Sequence, residues 1–520
     1  MTTAVSSSAN LAEPPTLPKQ DGFFGHPRGL ATLFFTELWE RFSYGGMRAL
    51  LFLYMTAAWT EGGLGFSVAA AGSITGTYGA LLYVGAVLGG WLSDRLLGPR
   101  LAVLYGGLVI MLGHICLSRE GGTAFALGML CLLLGTSLFK PSMNSMVGLL
   151  YPAGDRRRDA GFSIFYMGIN LGSFLAPLVC GFLAQSERWK AILRSHGMRP
   201  EASWHWGFGA AAVGMAIGII QYLASGHFLG QVGQAPLPSQ PGEFERRRRV
   251  AQVVGGCAVA VLCGLTALQV RGLLHIDLVR LSKLLGYAVL LVPIIYIPLL
   301  FLHGNPSQTD RQRMSVIVIL FFFMILFWAA EGQASSSVAL FAKRYVQNSF
   351  LGFHFPSVWW LSISSLFVIA LSPVLGWLWM RLGRFEPTSS TKFVMGLLLA
   401  GLGFLTLSGA ALMAQKSGSL VSPAWLVGLF IFHTLGELCL GPVGLSMVTK
   451  LTPADKGSQM MGVWFLAVSM GSVVGGRFAG LFESLPLPKL FGAVVAVLWG
   501  AALILALLGK TTRRLMGSVS

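Results

Sequence analysis

The sequence predicts an all-α polytopic membrane protein with two six-helix bundles and two extra helices between them. Three observations lead to this fold class. Hydrophobic residues make up 54% of the 520-residue chain and charged residues only 11%, whereas a soluble domain carries about 25% charged residues. Apolar segments long enough to cross a bilayer recur along the whole chain. A short motif also repeats at matching places in the two halves.

About 14 apolar segments have the length of a membrane-spanning helix. The predicted spans cover residues 30–58, 68–93, 101–118, 122–150, 160–185, 205–229, 250–269, 278–302, 314–342, 357–381, 391–413, 422–448, 458–482 and 488–509. The predicted domains are an N-terminal tail at 1–29, a first bundle at 30–229, a linker at 230–249, the extra helix pair at 250–304, a second bundle at 305–509 and a C-terminal tail at 510–520.

The repeated motif has the pattern G-W-L-x-x-R-L. One copy begins at Gly90 and the other at Gly376. Each copy ends the second helix of its half and starts a loop. This placement predicts two structurally related halves.

The distribution of basic residues predicts the orientation in the membrane. Lys and Arg are concentrated in the short loops on the side of the N-terminus, so the positive-inside rule places both termini in the cytoplasm. The same rule explains the net charge of +17 without a nucleic-acid partner. The longest basic cluster, Arg246 to Arg249, lies in the linker.

The cysteines predict no disulfide framework and no metal site. All six lie in or beside apolar segments, and none forms a CxxC motif. We interpret them as reduced packing residues, and we expect no cofactor.

The first span carries a stripe of ionisable residues. Glu37, Glu40, Arg41, Tyr44 and Arg48 are spaced i, i+3, i+4, i+7 and i+11, which puts them on one face of a helix. A charge at the centre of a bilayer costs about 2.5–3.5 kcal/mol on insertion scales. Such a stripe therefore faces a protein interior or a water-filled path, and it predicts the handling of ions, protons or a charged solute.

Three further charges lie well inside other spans. Lys140 is in the first half, and Glu331 and Glu437 are in the second. A cationic wall facing an anionic wall suits a zwitterion, and it supplies pairs that break and re-form as the halves move. Purely structural ion pairing between helices is the alternative. His433, four residues before Glu437, is placed to modulate that acid.

The motif E-x-x-E-R-F-x-Y in the first span resembles the proton-dependent oligopeptide transporters (POT or PTR family), a branch of the major facilitator superfamily. Other motifs support the resemblance along nearly all of the chain. They begin at Asp94 (DRLLGPR), Phe139 (FKP), Asp155 (DRRRDAGFSIFYMGINLG), Phe327 (FWAAE), Gly436 (GE), Pro442 (PVGLS) and Ser458 (SQMMGVW). The extra helix pair is similar to that of bacterial members.

The resemblance implies a major facilitator fold and a proton-coupled symporter that imports di- and tripeptides by alternating access. It implies a monomer in the bacterial inner membrane, with peptides, protons and lipid as partners. The implied substrate contacts are Arg48 and Lys140 for the peptide carboxylate, Asn170, Ser364 and Glu437 for its amino end, and Tyr44, Tyr83, Trp328 and Trp464 for the pocket lining. The residues implied in proton coupling are Glu37, Glu40 and Arg41. The gating salt bridges are implied between Arg48 and Glu331 and between Lys140 and Glu437.

Three positions depart from the family pattern. Gly45 replaces a second tyrosine, which predicts a larger pocket. The family's glutamate in the first helix of the second half corresponds to Gly332, and Glu331 comes one residue earlier. One residue is about 100° of helical rotation, so the carboxylate is displaced relative to Arg48. Ser364 stands where the family has asparagine, which weakens one contact to the peptide amine.

Two other functions compete with peptide symport. A proton-coupled antiporter of drugs or organic solutes has the same fold but would not need both Arg48 and Lys140. An ion channel or scramblase would need a continuous path, against which the paired halves argue. An intramembrane enzyme is disfavoured because the sequence contains no HExxH or GxSxG motif.

Overall fold

The computed structural model describes residues 21–152, 155–234, 277–302, 307–350, 352–452 and 457–516, with a few positions between 245 and 264. The first bundle consists of α1 (Arg28–Thr56), α2 (Val68–Leu92), α3 (Pro99–Leu117), α4 (Gly122–Leu149), α5 (Arg158–Gln185), the short α6 (Glu187–Ser195) and α7 (Ser203–Ser225). A two-stranded hairpin, β1 (Asp21–Phe23) with β2 (His26–Pro27), precedes α1.

The remaining described helices follow the linker. They are α8 (Leu278–Leu302), α9 (Gln308–Glu331), the short α10 (Ser337–Tyr345), α11 (Trp360–Leu382), α12 (Ser389–Ser417), α13 (Ala424–Leu451), α14 (Gly457–Ala479), α15 (Leu487–Leu507) and α16 (Gly509–Met516). A second hairpin, β3 (Ser349–Phe350) with β4 (Phe353–His354), connects α10 to α11.

Twelve of the described helices are long and apolar enough to cross a membrane. Helix α1 has 29 residues but carries the charged stripe, and it lies inside the first bundle against α5 and α7. The predicted span at 250–269 and most of the linker at 230–249 lie outside the described residues. The all-α polytopic fold is thus confirmed.

The predicted span at 314–342 is wrong as a single helix. Helix α9 ends at Glu331, and a turn over 332–336 separates it from α10. Ser336 has a non-helical backbone, with φ −128° and ψ −98°, and its hydroxyl donates to the carbonyl of Gly332 at 3.1 Å. Serine hydroxyls that bond the local backbone compete with helical hydrogen bonds. The break leaves Glu331 at a helix end.

The two halves meet at one end of the molecule, which we call the joined end. There the N-terminal half of α2 packs on the C-terminal half of α14 through glycines. A Cβ atom at Gly76 would lie 2.6 Å from the carbonyl oxygen of Ser472, and one at Gly72 would overlap the carbonyl oxygen of Gly476. Only glycine allows the backbones to approach so closely.

A second contact at the joined end links the C-terminal half of α5 to the start of α11. The indole Nε1 of Trp359 donates to the carbonyl of Leu178 at 3.1 Å. The Ser362 hydroxyl donates to the carbonyl of Phe174 at 2.7 Å. Together with the α2–α14 contact, these bonds hold the halves closed at this end.

Helix α8, part of the predicted extra pair, packs against both α2 and α14. Thr77 of α2 donates to the carbonyl of Ser282 at 2.8 Å. The guanidinium of Arg477 on α14 lies 4.8 Å from the ring centroid of Tyr287. This cation–π contact gives the guanidinium of Arg477, in the last turn of α14, a partner on α8.

Candidate functional site

The charged stripe of α1 forms a buried cluster with Lys140 of α4, which we call the acid–base cluster (Glu37, Glu40, Arg41 and Lys140). Nε of Arg41 lies 2.9 Å from Oε1 of Glu37 and 3.5 Å from Oε2 of Glu40. Nζ of Lys140 lies 3.4 Å from Oε1 of Glu37 and 3.0 Å from Oε2 of Glu40. Two acids and two bases neutralise one another, as buried charges must.

The acids are the most deeply buried members of the cluster. The Glu40 side chain is 0% exposed and that of Glu37 3%, whereas Arg41 and Lys140 are each 21% exposed. The Tyr44 ring lies under both cations, 5.6 Å from the Arg41 guanidinium carbon and 5.8 Å from Nζ of Lys140. The bases thus face the more open side, where a solute could compete for them.

Oε1 of Glu40 is buried and has no hydrogen-bond partner among the described residues. Its other oxygen, Oε2, accepts from Lys140. A carboxylate with one satisfied and one unsatisfied oxygen is incompletely stabilised as an anion. The cluster is therefore able to take up a proton.

A cavity lies between the two halves, one turn along α1 from the cluster. We call it the central cavity. Its lining includes the following residues of the predicted site: Tyr44, Arg48, Tyr83, Trp328 and Glu331. The indole Nε1 of Trp328 is buried and lacks a hydrogen-bond partner in the described part of the chain.

Arg48 is the cation of the central cavity, and it contacts the second half. Its Nε donates to the Ser335 hydroxyl at 3.3 Å, and its Nη2 lies 4.0 Å from Oε1 of Glu331. The side chain is 41% exposed, so its guanidinium retains free donors. The contact with Glu331 forms although that acid is displaced by one residue from the family position.

His433 of α13 contacts Glu331 and not Glu437, so the expected modulation of Glu437 is wrong. Its Nδ1 lies 3.2 Å from Oε2 of Glu331. Residues 433 and 437 are one turn apart on α13, but the imidazole points toward the end of α9. The sequence shows a histidine inside an apolar span, but it does not indicate which acid the imidazole contacts.

Lys140 and Glu437 do not form the expected gating pair in this structure. Lys140 is held by Glu37 and Glu40, because α4 and α1 belong to the same bundle. Glu437 is partly exposed and makes no ion pair within 4 Å with a described residue. Arg48 and Glu331, the other expected gating pair, lie 4.0 Å apart.

Like Lys140 and Glu437, three further residues predicted to contact substrate lie outside the lining of the central cavity. Asn170 is buried, and its amide donates to the carbonyl of Tyr166 in its own helix at 3.0 Å. Ser364 is partly exposed on α11. Trp464 is 3% exposed and packs on Gly444, where a Cβ would overlap its ring.

Gly45 does not enlarge the cavity, contrary to expectation. A Cβ atom at this position would lie 3.0 Å from Cβ of Ala176 and 3.6 Å from Cα of Ser173. The glycine therefore faces α5 and permits close packing inside the first bundle.

The DRRRD motif lies between α4 and α5, outside the membrane-spanning segments. Arg157 donates to both carboxylate oxygens of Asp155, with 3.0 Å from Nη2 to Oδ2, and to the carbonyl of Gly25 at 3.3 Å. These side-chain hydrogen bonds, with one from the Arg157 backbone, hold the pKa of Asp155 below its usual value. The motif thus ties the loop to the N-terminal hairpin.

Sequence relatives of this chain are transporters. The Yersinia enterocolitica peptide transporter YePEPT is 39% identical over 510 residues, covering 95% of this chain and 96% of its own length. A di-/tripeptide transporter of Lactococcus lactis is 35% identical over 510 residues, covering 96% and 98%. An uncharacterised Bacillus subtilis transporter, YclF, is 40% identical over 504 residues, covering 96% and 97%.

Solved structures agree with these relatives. A peptide transporter POT in complex with sulfate has a TM-score of 0.83 and 40% identity, covering 96% of this chain and 98% of that one. A POT family transporter in complex with a thioalcohol-conjugated peptide has a TM-score of 0.80 and 33% identity, covering 95% and 98%. The sequence model of the POT family matches residues 100–493. The chain therefore belongs to the POT family.

Proposed function

We propose that this protein is a proton-coupled symporter that imports di- and tripeptides by alternating access. It acts as a monomer in the bacterial inner membrane, with both termini in the cytoplasm. The observation that carries the proposal is the acid–base cluster on α1 and α4, which lies beside a cavity where Arg48 faces Glu331 across the two halves. This arrangement combines a protonatable network with a site for a charged solute.

Arg48 binds the peptide carboxylate in this proposal. It lines the central cavity, and its planar guanidinium offers a fork that matches a carboxylate. Its only acid within 4 Å among the described residues is Glu331, at the limit of an ion pair. A peptide carboxylate could therefore replace Glu331 at little electrostatic loss.

Glu437 binds the peptide ammonium, with Asn170 and Ser364 beside it. Glu437 has no ion-pair partner among the described residues, and an unpaired carboxylate in a spanning helix is costly. Arg48 and Glu331 interact with it electrostatically, so it belongs to the same charged region. Tyr44, Tyr83 and Trp328, which line the central cavity, contact the peptide side chains in this proposal.

The acid–base cluster couples proton uptake to substrate binding. While Glu37 and Glu40 are ionised, they hold Lys140 at 3.4 and 3.0 Å. A proton on either carboxylate removes one attraction, and Lys140 is then free to join Arg48 on the peptide carboxylate. Arg41 remains to neutralise the second acid. Uptake is therefore favoured on the acidic side of the membrane.

Alternating access uses the joined end as one gate. With both termini in the cytoplasm, α2 starts on the periplasmic side, and the joined end closes the protein to the periplasm. The glycine contacts between α2 and α14 involve no charged side chains, whereas the ion pair between Glu61 and Lys343, at 3.5 Å, must break when the halves separate. The pair between Arg48 and Glu331 links the halves near the cavity and is released when the peptide binds.

The alternatives predict different contacts. A channel or scramblase needs a continuous path, whereas the backbones of α2 and α14 touch at the joined end. A drug antiporter would take apolar cations, which Arg48 in the central cavity would repel. The sequence relatives named peptide transporters and the peptide-bound structural relative favour peptide symport.

Proteoliposomes test the proposal. Labelled dialanine should accumulate above its external concentration when the outside is acidic, and it should only equilibrate without a gradient. A protonophore should abolish accumulation. Uptake that is indifferent to the gradient would reject proton coupling, and absence of dialanine uptake with transport of an apolar cation would favour the antiporter.

A further inference from the structure

The N-terminal hairpin carries an exposed aromatic residue that the mechanism above does not use. Phe24 and Gly25 form the two-residue turn between β1 and β2, and Phe23 pairs with His26 across it. The Phe24 side chain is 75% exposed. Its ring meets the edge of the Phe23 ring, with centroids 4.9 Å apart. An apolar ring thus stands at the tip of the hairpin.

The geometry of the turn does not explain a phenylalanine at position 24. Phe24 has a φ of +52° and Gly25 one of +78°, and a type I′ turn requires a positive φ at both central residues. Asparagine, aspartate and glycine adopt such angles readily, whereas a bulky side chain is strained there. In the described part of the chain, Phe24 is the only non-glycine residue with a positive φ. A strained and exposed aromatic residue points to a partner outside the hairpin.

The hairpin folds back along α1, which sets its depth in the bilayer. The centroid of the Phe23 ring lies 5.6 Å from that of Phe34 and 6.2 Å from that of Phe35. Phe34 and Phe35 belong to the second turn of α1, about 10 Å from its start at 1.5 Å per residue. Helix α1 has 29 residues, so it is about 43 Å long and exceeds the hydrocarbon core of about 30 Å. The tip of the hairpin therefore lies at the boundary between acyl chains and headgroups.

Two arginines flank the aromatic tip. The guanidinium of Arg157 donates to the carbonyl of Gly25 at 3.3 Å. A Cβ atom at Gly22 would lie 2.8 Å from Nε of Arg28, so Arg28 lies against β1. Both arginine side chains are exposed. A ring at the membrane boundary with cations at headgroup level is the arrangement of interfacial membrane anchors.

The surface around the tip stays basic although one acid is present. Asp155 pairs with Arg157 at 3.0 Å. Arg156 and Arg158 on either side of Arg157 are both exposed. Guanidinium groups match the geometry of phosphate, and basic residues near a membrane surface favour anionic lipids.

The hairpin is firmly joined to the first bundle. Nδ1 of the buried His26 lies 2.9 Å from the hydroxyl of Tyr151, which follows α4. A Cβ atom at Gly161 of α5 would overlap this hydroxyl. An attachment at Phe24 therefore fixes the depth of the adjoining ends of α1, α4 and α5.

We propose that the tip of the N-terminal hairpin is a membrane anchor, in which Phe24 inserts among the lipids and Arg28 and Arg157 bind the phosphates of anionic phospholipids. The inference goes beyond the proposed function, because it does not depend on which solute is carried. Burial of the ring between acyl chains offsets the strain of its backbone. The anchor holds the first bundle at a fixed depth in the bilayer.

Photo-crosslinking of the full-length protein tests the anchor. Phe24→p-benzoylphenylalanine places a ketone that reacts on irradiation with C–H bonds within its reach. The protein is reconstituted in nanodiscs with equal amounts of phosphatidylglycerol and phosphatidylcholine, and intact-mass spectrometry identifies the adducts. We expect lipid adducts in which phosphatidylglycerol exceeds phosphatidylcholine by about fivefold, the preference that one basic side chain near the surface provides.

Two other positions serve as controls for the reaction. Val497 is 46% exposed at the centre of α15, so the same residue there should label lipid without a headgroup preference. Phe353 is an aromatic residue of the second hairpin that is 40% exposed. Its ring centroid lies 5.9 Å from that of Trp359 and 5.4 Å from the guanidinium carbon of Arg188, so a benzophenone at 353 should react within the protein.

Arg28→Gln in the protein labelled at position 24 tests the headgroup contact. The change removes one positive charge and keeps a long polar side chain. The excess of phosphatidylglycerol should fall by at least about half, while the total yield of lipid adducts should persist because the ring still inserts. Arg384→Gln, at an exposed arginine of the second half, should leave the excess unchanged.

Three results would overturn the proposal. The first is the absence of lipid adducts at position 24 while position 497 is labelled. The second is cross-linking of position 24 to another copy of the chain in place of lipid. The third is labelling of the two lipids in equal amounts, which would remove the anionic headgroup from the anchor. None of these readouts involves dialanine, so a failure of peptide symport and a failure of the anchor are distinguishable.

Discussion

Nζ of Lys140 lies 3.0 Å from Oε2 of Glu40, and this contact ties α4 to α1 inside the first bundle. The base that would hold a peptide carboxylate is thus already occupied by a buried acid. Protonation of the acid and binding of the substrate are alternative ways to satisfy the network. A carrier with this arrangement binds its anionic substrate group best after it has taken up a proton.

The first prediction concerns Glu40→Gln. Glutamine resembles a permanently protonated carboxyl, so the cluster can no longer cycle between charge states. We expect accumulation of dialanine in proteoliposomes with an acidic exterior to fall at least about tenfold, the scale of one lost charged interaction. Exchange of external for internal dialanine should persist, because it does not require net proton movement.

The control for this prediction is Glu187→Gln, the same chemical change at a side chain that is 74% exposed. It should accumulate dialanine as wild type does. Full gradient-driven accumulation by both Glu40→Gln and Glu37→Gln would remove these acids from the coupling mechanism.

The second prediction concerns Arg48→Ala. Wild type should bind dialanine more tightly than its C-terminal amide, by about ten- to hundredfold for a charge-assisted contact. In Arg48→Ala this preference should shrink to within about threefold. The preference that remains reflects the weak attraction of more distant charges. Isothermal titration of both ligands on both proteins gives the four affinities.

Arg344→Ala is the matched control, because Arg344 is an exposed arginine paired with Glu483 away from the cavity. It should keep the wild-type preference for the free acid. If Arg48→Ala discriminates between acid and amide as strongly as wild type, Arg48 does not recognise the peptide carboxylate.

The stripe on α1 was predictable because helical periodicity alone decides which of its residues share a face. The partner of Lys140 was not, since charge pairing between helices depends on their packing and several acids were available in the sequence. The same reason explains why His433 was assigned to Glu437, its neighbour on the helix, when it contacts Glu331.

The long apolar run at 314–342 shows another limit of sequence analysis. Hydropathy favoured one uninterrupted helix, because serine and glycine are tolerated inside membrane helices. The chain instead turns over 332–336, where the Ser336 hydroxyl donates to the carbonyl of Gly332. This turn carries Ser335, whose hydroxyl accepts from Nε of Arg48 at 3.3 Å, so the feature that hydropathy missed builds part of the candidate site.

The third prediction concerns the glycine contact at the joined end. In Gly72→Ala the new methyl group would overlap the carbonyl oxygen of Gly476, so the two halves cannot approach fully. We expect the population to shift away from the form closed at this end. Spin labels on opposite halves at the joined end should report longer distances, and dialanine uptake should slow.

Gly500→Ala controls for the change of residue type, since a Cβ there meets no atom within 4 Å. It should leave both the distances and the uptake rate unchanged. Wild-type distance distributions in Gly72→Ala would mean that the close glycine contact does not limit closure.

The last prediction concerns Glu437, which has no ion-pair partner among the described residues. If Glu437 binds the peptide ammonium, wild type should bind dialanine about ten- to hundredfold more tightly than N-acetylated dialanine. Glu437→Gln should lose most of this preference. Glu483→Gln, an exposed acid, is the control.

The same variant also tests the gating role once expected of Glu437. Because Lys140 is held by Glu37 and Glu40, no bond between the halves is lost in Glu437→Gln, and the spin-label distances of the empty protein should match wild type. Changed distances would show that Glu437 contacts the first half in another conformation. If Glu437→Gln prefers the free amine as strongly as wild type does, Glu437 does not recognise the substrate. The argument that the division of charge between the halves suits a zwitterion would then fail as well.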